Sequence, residues 1–228
     1  LDSTLGSRIR LTSHHATDIV PSWSPSGDEV VFSSYRSGSV DVWLRSADAG
    51  SEETLLHGTA DGERVSDWSK DGKYILFTIL KGSDRDIGYL ARADNGKWAS
   101  HSFLSSPAKE HIAKISPDGR YAAYLSDESG GMELYVREFP RGGRKWVVSS
   151  HGATQPRWSR DGKEIFYVEN GTLFAVPVKT APEFSAGAPV RLFSHPALTP
   201  REAEPHFDVS LDRQRILLPD PVGGKNTR

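Results

Sequence analysis

Acidic side chains recur at one place in a repeated pattern and could together bind a cation. Five residues before each copy of a short repeated phrase, four copies out of five have an acidic residue: Asp18, Glu63, Glu110 and Glu204. The remaining copy has Ala153 there. Clustered carboxylates repel one another unless their pKa values rise or a cation lies among them. This column of acids therefore predicts a site for Ca²⁺, Mn²⁺ or Zn²⁺.

Basic side chains stand beside this acidic column. Arg64 and His111 directly follow two of the acids, and His206 comes three residues before the last copy of the phrase. We take these three as candidate ligand-binding residues, and His111 or His206 as a candidate general base for metal-assisted hydrolysis. The alternative is that all these residues are solvated loop charges that never converge.

The repeated phrase, Trp-Ser-x-Asp-Gly in its fullest form, indicates how the chain is organised. Copies separated by 43 to 51 residues begin at Trp23, Trp68, Ile115, Trp158 and Val209. This period is typical of a four-stranded propeller blade. Asp-Gly favours a turn between two strands. The apolar run after each copy, such as 29–32, predicts a strand buried on both faces.

These elements predict an all-β fold, a β-propeller of four-stranded antiparallel blades forming one domain over residues 1–228. The blades are expected at residues 23–57, 68–104, 115–149 and 158–194, with a last one from 206–219 plus 8–12. Five blades closed by strands from both termini would remove exposed sheet edges. The alternative is a fragment of a six-bladed ring, whose open edge would favour a homo-oligomer.

Composition narrows the classes of partner. A net charge of −2 gives no broad positive field, so nucleic acid is not expected as a partner. The chain has no cysteine, which excludes disulfides and thiolate metal sites. No apolar run approaches the roughly 18 residues of a membrane span, so no membrane insertion is expected of this chain. Nucleophile-elbow, zinc-protease and phosphate-loop motifs are absent from the sequence.

The tandem phrases resemble the PD repeats of TolB-like β-propellers. Further segments resemble the propeller region attached to bacterial, acidobacterial-type serine/threonine kinases: residues 10–12, 21–25, 115–121, 126–130, 136–140 and 155–158. This resemblance covers essentially the whole chain. It implies a periplasmic or extracytoplasmic sensor domain that follows a kinase domain and a membrane span. The kinase signature motifs themselves are absent from this sequence.

Three functions follow as hypotheses. The first is a binding or sensing module that presents the mouth of the propeller channel, with or without a cation, to a peptide, a protein or a small polar ligand. The second is a metal-dependent hydrolase of an ester, lactone or phosphoester with its site at that mouth, an analogy at the level of the fold. The third is a structural role in oligomer assembly.

Overall fold

The computed structural model describes residues 10–199 and 207–219, and strands dominate it. In this described part the helical structure is a single turn of 3-10 helix, Pro196–Leu198. None of its helices has the length and apolarity needed to cross a bilayer. The all-β prediction is confirmed. Packing divides the chain into an N-terminal unit ending at Ala113 and a C-terminal unit beginning at Lys114.

The N-terminal unit contains two complete antiparallel sheets, each with its strands in chain order. Sheet 1 consists of β1 (Asp18–Trp23), β2 (Glu29–Ser34), β3 (Asp41–Ser46) and β4 (Thr54–His57). Sheet 2 consists of β5 (Glu63–Trp68), β6 (Tyr74–Lys81), β7 (Asp84–Arg92) and β8 (Trp98–Leu104).

The same meander recurs further along the chain. Sheet 3 consists of β9 (Glu110–Ile115), within which the two units divide, β10 (Tyr121–Ser126), β11 (Glu133–Glu138) and β12 (Lys145–Val147). Sheet 4 consists of β13 (Thr154–Trp158), β14 (Glu164–Glu169), β15 (Thr172–Lys179), β16 (Ser185–Ala186) and β17 (Val190–Ser194). Both β16 and β17 pair with β15. A hairpin of β18 (Asp208–Val209) and β19 (Ile216–Leu217) follows.

The repeated phrase builds the turn between the first two strands of each sheet. In sheet 3, the Ser116 hydroxyl donates to the Asp118 carboxylate at 2.6 Å and accepts from the Tyr121 backbone N–H at 3.0 Å. Gly119 has φ = 74°, a conformation that glycine adopts without strain. Serines 69, 159 and 210 make the same pair of bonds in their own copies. The repeated Asp is therefore explained by turn geometry.

The first residue of the phrase has different surroundings in different copies. The Trp68 side chain joins a buried cluster with Val31 and Val42 of sheet 1. The indole N–H of Trp158 donates to the Lys114 carbonyl of β9 at 2.9 Å. Trp23, in the first copy, is 55% exposed, against 7% for Trp68 and 8% for Trp158.

The core lies mainly on the second strand of each sheet, as the apolar runs predict. All six residues of β10 are buried, and five of the six in β2 are. The outer strands β12, β16 and β17 are mostly exposed. The terminal hairpin packs on sheet 4, since Val209 shares a buried cluster with Phe166 and Leu173.

The closing strand expected at residues 8–12 lies partly outside the described residues, and residues 10–12 form no strand. The last predicted blade begins at residue 206, also outside the described ranges. Ring closure and the number of blades therefore stay predictions.

Candidate functional site

The acidic column predicted from the sequence marks the beginning of the first strand in three sheets. Asp18, Glu63 and Glu110 are the first residues of β1, β5 and β9. Ala153 directly precedes β13. Glu204 lies outside the described residues. The repeat thus gives these positions a common place in the sheets, although each carboxylate has its own local partners.

Asp18 is held by an ion pair. Its Oδ1 lies 3.0 Å from the Arg36 guanidinium, which also pairs with Glu53 and lies over the Trp43 ring, 4.6 Å from its centroid. Burial opposes ionisation of Asp18, but hydrogen bonds from Ser34, Thr12 and Arg36 and the guanidinium charge lower its pKa. A guanidinium already neutralises this carboxylate, which makes it a poor ligand for a cation.

Glu63 is fully buried and is bound by the loop that precedes it. The backbone N–H and hydroxyl of Thr59 donate to its two carboxylate oxygens at 3.2 and 2.5 Å. His57 Nε2 lies 4.0 Å from Glu63 Oε1 and 3.3 Å from the Ser100 hydroxyl. A Ser-His-acid triad uses opposite ring nitrogens for its two partners, whereas here both partners face the same nitrogen.

Glu110 repeats the arrangement of Glu63. It is 3% exposed and accepts a hydrogen bond from the hydroxyl of Ser106, four residues earlier, as Glu63 does from Thr59. The carboxylates of Glu63 and Glu110 thus each accept a hydrogen bond from the loop that precedes their own strand.

The basic candidates lie next to these carboxylates in sequence. Arg64 and His111 are the second residues of β5 and β9 and are partly exposed, whereas Glu63 and Glu110 are buried. Successive strand residues point to opposite faces of a sheet, which separates Arg64 from Glu63. His206 lies outside the described residues.

The predicted cation site is not assembled by the residues that the structure places. Across 10–199 and 207–219, no three His, Asp or Glu side chains form a group able to hold a metal ion. Because Glu204 and His206 are not among them, the metal site and the hydrolase hypothesis both stay predictions.

A second row of acids was missed by the sequence reasoning. Asp41, Asp86 and Glu133 are buried near the start of the third strand of sheets 1, 2 and 3. Ser39 donates to Asp41 at 2.8 Å, and Ser105, in the loop after β8, donates to Asp86 at 2.9 Å. The available signal was an acid at the start of an apolar and aromatic strand.

A pocket of about 450 Å³ occurs in the C-terminal unit beside Ala153. We call it the Ala153 pocket. Its wall consists of Met132, His151–Thr154, Val168–Gly171 and Thr199. These residues come from the ends of strands and from loops, where binding groups are commonly found. The pocket thus lies where one repeat has alanine in place of the acid.

The charge near the Ala153 pocket is negative. Glu169 is one of the residues of the wall. The buried carboxylate of Glu133 accepts from the Gly152 backbone N–H at 2.9 Å and from the Ser149 hydroxyl. Burial, and then the charges of Glu169 and Glu133, raise the pKa of the Tyr167 phenol to about 12. The carboxylates of Glu169 and Glu133 therefore both act electrostatically on the Tyr167 phenol.

Sheets, turns and comparisons together define the class of protein. No family model matches the chain. An uncharacterized protein of Agrobacterium fabrum is 24% identical over 180 residues, which are 72% of this chain and 58% of that protein. The Tol-Pal system protein TolB of Anaeromyxobacter dehalogenans is 30% identical over 104 residues, 45% of this chain and 23% of that protein.

Structural similarity extends over more of the chain. The crystal structure of TolB from Acinetobacter baumannii matches with a TM-score of 0.64 at 16% identity, over 90% of this chain and 49% of that one. The chain therefore has a β-propeller fold. In particular, it is a TolB-like propeller in its fold, as the repeats predict. The chain spans between about a quarter and three fifths of the length of these proteins.

Proposed function

We propose that this chain is a protein-binding module that receives a segment of a partner polypeptide at the Ala153 pocket. The observation that carries the proposal is the pocket itself, about 450 Å³ at a position where two other repeats bury a carboxylate. Ligand pockets commonly have volumes of about 300–1,000 Å³. The TolB-like fold supports a binding role in general, and the pocket supplies a specific place for it.

The surroundings of the pocket suit a polypeptide. Met132 offers partly exposed apolar surface, and Asn170, His151 and Thr199 offer exposed polar side chains. A mostly apolar wall with a few directional polar groups is the usual composition of a binding site. A peptide side chain entering the pocket would find apolar contact for its stem and hydrogen-bonding groups at the rim.

The experiment selects peptides from a random displayed library on the purified protein and compares their binding to variants. Ala153→Phe fills the pocket, and Thr199→Trp obstructs its exposed rim without altering a buried position. Ala186→Phe, on the exposed strand β16, is the matched control. We expect selected peptides to bind the native protein and the control and to lose at least about tenfold in affinity on both pocket variants.

One control and two possible contrary results decide the outcome of this experiment. Circular dichroism and thermal unfolding establish that each variant is folded, and Thr199→Trp decides the matter if Ala153→Phe is not. Peptides that bind all four proteins equally would show that the pocket is not the site. A library that yields no binders would contradict the proposed function as a whole.

A further inference from the structure

The Ala153 pocket has an excess of negative charge that nothing in its described wall balances. Glu169 lies in the wall, and Glu133 is one hydrogen bond away through Gly152. The donors to Glu133, the Gly152 N–H and the Ser149 hydroxyl, are neutral groups and leave its formal charge in place. No Lys or Arg occurs among the described residues of the wall, whose one basic side chain is His151.

Two acids of the two rows are compensated by an opposite charge. Asp18 pairs with Arg36, and Asp86 pairs with Lys81. Each of these two carboxylates has a positively charged partner in its own sheet. The described wall of the Ala153 pocket contains no such lysine or arginine. A ligand that brings a positive charge would supply such a partner, because opposite charges attract each other.

The combination of apolar and charged groups in the wall further restricts the kind of ligand. Met132 is partly exposed and offers apolar surface in this wall, whereas Val168 and Ala153 are buried behind it. Lysine and arginine combine a long apolar stem with a charged head, and they bury the stem while the head reaches polar groups. A small inorganic cation would leave the apolar surface uncovered, whereas these side chains match both parts of the pocket.

We infer that the Ala153 pocket selects the positively charged side chain of a lysine or arginine on the partner polypeptide. This inference rests on the proposed function and adds the chemical class that the pocket recognises. Glu169 in the wall makes direct contact with the ammonium or guanidinium group, and Glu133 contributes its charge from beneath Gly152.

The chain contains a single methionine, Met132, and it lies in the pocket wall. Protein labelled with ¹³C in the methionine methyl group therefore carries one internal reporter at the proposed site, and Met132→Leu assigns its resonance. The probes are n-butylammonium and n-butylguanidinium, with n-butanol and butyrate as neutral and anionic counterparts. The titrations are run at pH 8, where an ordinary imidazole is uncharged.

We expect both cations to shift the Met132 resonance in a saturable manner and butyrate to leave it unchanged. Glu169→Gln should weaken cation binding about tenfold, because a charge-assisted hydrogen bond is lost. Glu183→Gln, an exposed acid paired with Arg144 outside the pocket, should leave it unchanged. Peptides selected on the native protein should contain Lys or Arg, and replacing that residue by norleucine should abolish pocket-dependent binding.

Contrary outcomes separate this inference from the proposed function. If butanol shifts the resonance as strongly as the cations do, or if no cation shifts it up to about 100 mM, charge selection is wrong. Selected peptides that bind the pocket without Lys or Arg would overturn the inference and leave the proposed function standing. Peptides whose binding ignores both pocket variants would overturn the two together.

Discussion

Glu63 and Ala153 occupy the same place in two repeats, and the structure uses that place in opposite ways. At Glu63 a buried carboxylate fastens the preceding loop through Thr59. At Ala153 the side chain is a methyl group, and a pocket of about 450 Å³ lies beside it. A repeat architecture can thus leave a pocket beside the position where one copy lacks a structural side chain.

The loop before Ala153 remains anchored despite this omission, because its hydroxyl has another partner. Thr59 stands four residues before Glu63, and Ser149 stands four residues before Ala153. The Thr59 hydroxyl donates to Glu63, whereas the Ser149 hydroxyl donates to Glu133, in the second row of acids. In this repeat the hydroxyl of the loop is therefore bound by an acid of the second row instead of the first.

The largest effect should come from removing the structural carboxylate. We expect Glu63→Ala to lower the free energy of unfolding by about 2–4 kcal/mol, since two hydrogen bonds are lost at a fully buried position. Urea unfolding followed by tryptophan fluorescence measures this. Glu183→Ala removes an exposed ion pair and should cost under about 1 kcal/mol. Equal losses for the two variants would refute the structural role of Glu63.

A smaller and pH-dependent effect is expected at Asp18. The pKa of its carboxyl is lowered in the folded protein, so its contribution is complete above the unfolded pKa of about 4 and is lost as the pH falls through the folded pKa. Asp18→Asn should therefore be less stable than the native protein at pH 7, by about 1 kcal/mol, because the ion pair with Arg36 is lost. The difference should shrink below pH 4.

Stability curves in urea at pH 7, 5, 4 and 3 test this prediction. Asp94→Asn provides a control at an exposed turn of the same unit. A stability difference between the native protein and Asp18→Asn that grows on acidification would contradict the stated direction of the pKa.

The smallest effect on stability should come from Ala153 itself. We expect Ala153→Ser to change the free energy of unfolding by less than about 0.5 kcal/mol, because its hydroxyl can be hydrated in the pocket. The measurement is again urea unfolding. A loss comparable with that of Glu63→Ala would mean that the two places are equivalent in packing and that the comparison between them is wrong.

Much of the fold was accessible from the sequence because the repeated phrase encodes its own turn. The Ser and Asp of each phrase bond within five residues, so spacing and residue type were sufficient to locate the turns, as Ser116 and Asp118 show. The TolB-like fold followed from the same repeats and is confirmed. The attachment to a kinase and a periplasmic location stay predictions.

The site was less accessible, because its partners are set by loops whose conformations the sequence does not display. The acidic column was a real structural feature, but nothing in its spacing shows that Arg36 pairs with Asp18 or that Thr59 binds Glu63. Ala153 was seen only as a missing acid. The pocket beside Ala153 is formed by the surrounding loops, whose conformations only the structure shows.

The sequence by itself determined the strand order, the turns and the recurring positions, since these depend on local hydrogen bonds and on the alternation of buried residues. Only the tertiary structure decided which acids are hydrogen-bonded to loops, which form ion pairs and where the Ala153 pocket lies. Those outcomes depend on contacts between residues far apart in the chain, such as Ser105 with Asp86 and Gly152 with Glu133. Packing of loops, which no local pattern specifies, made the difference.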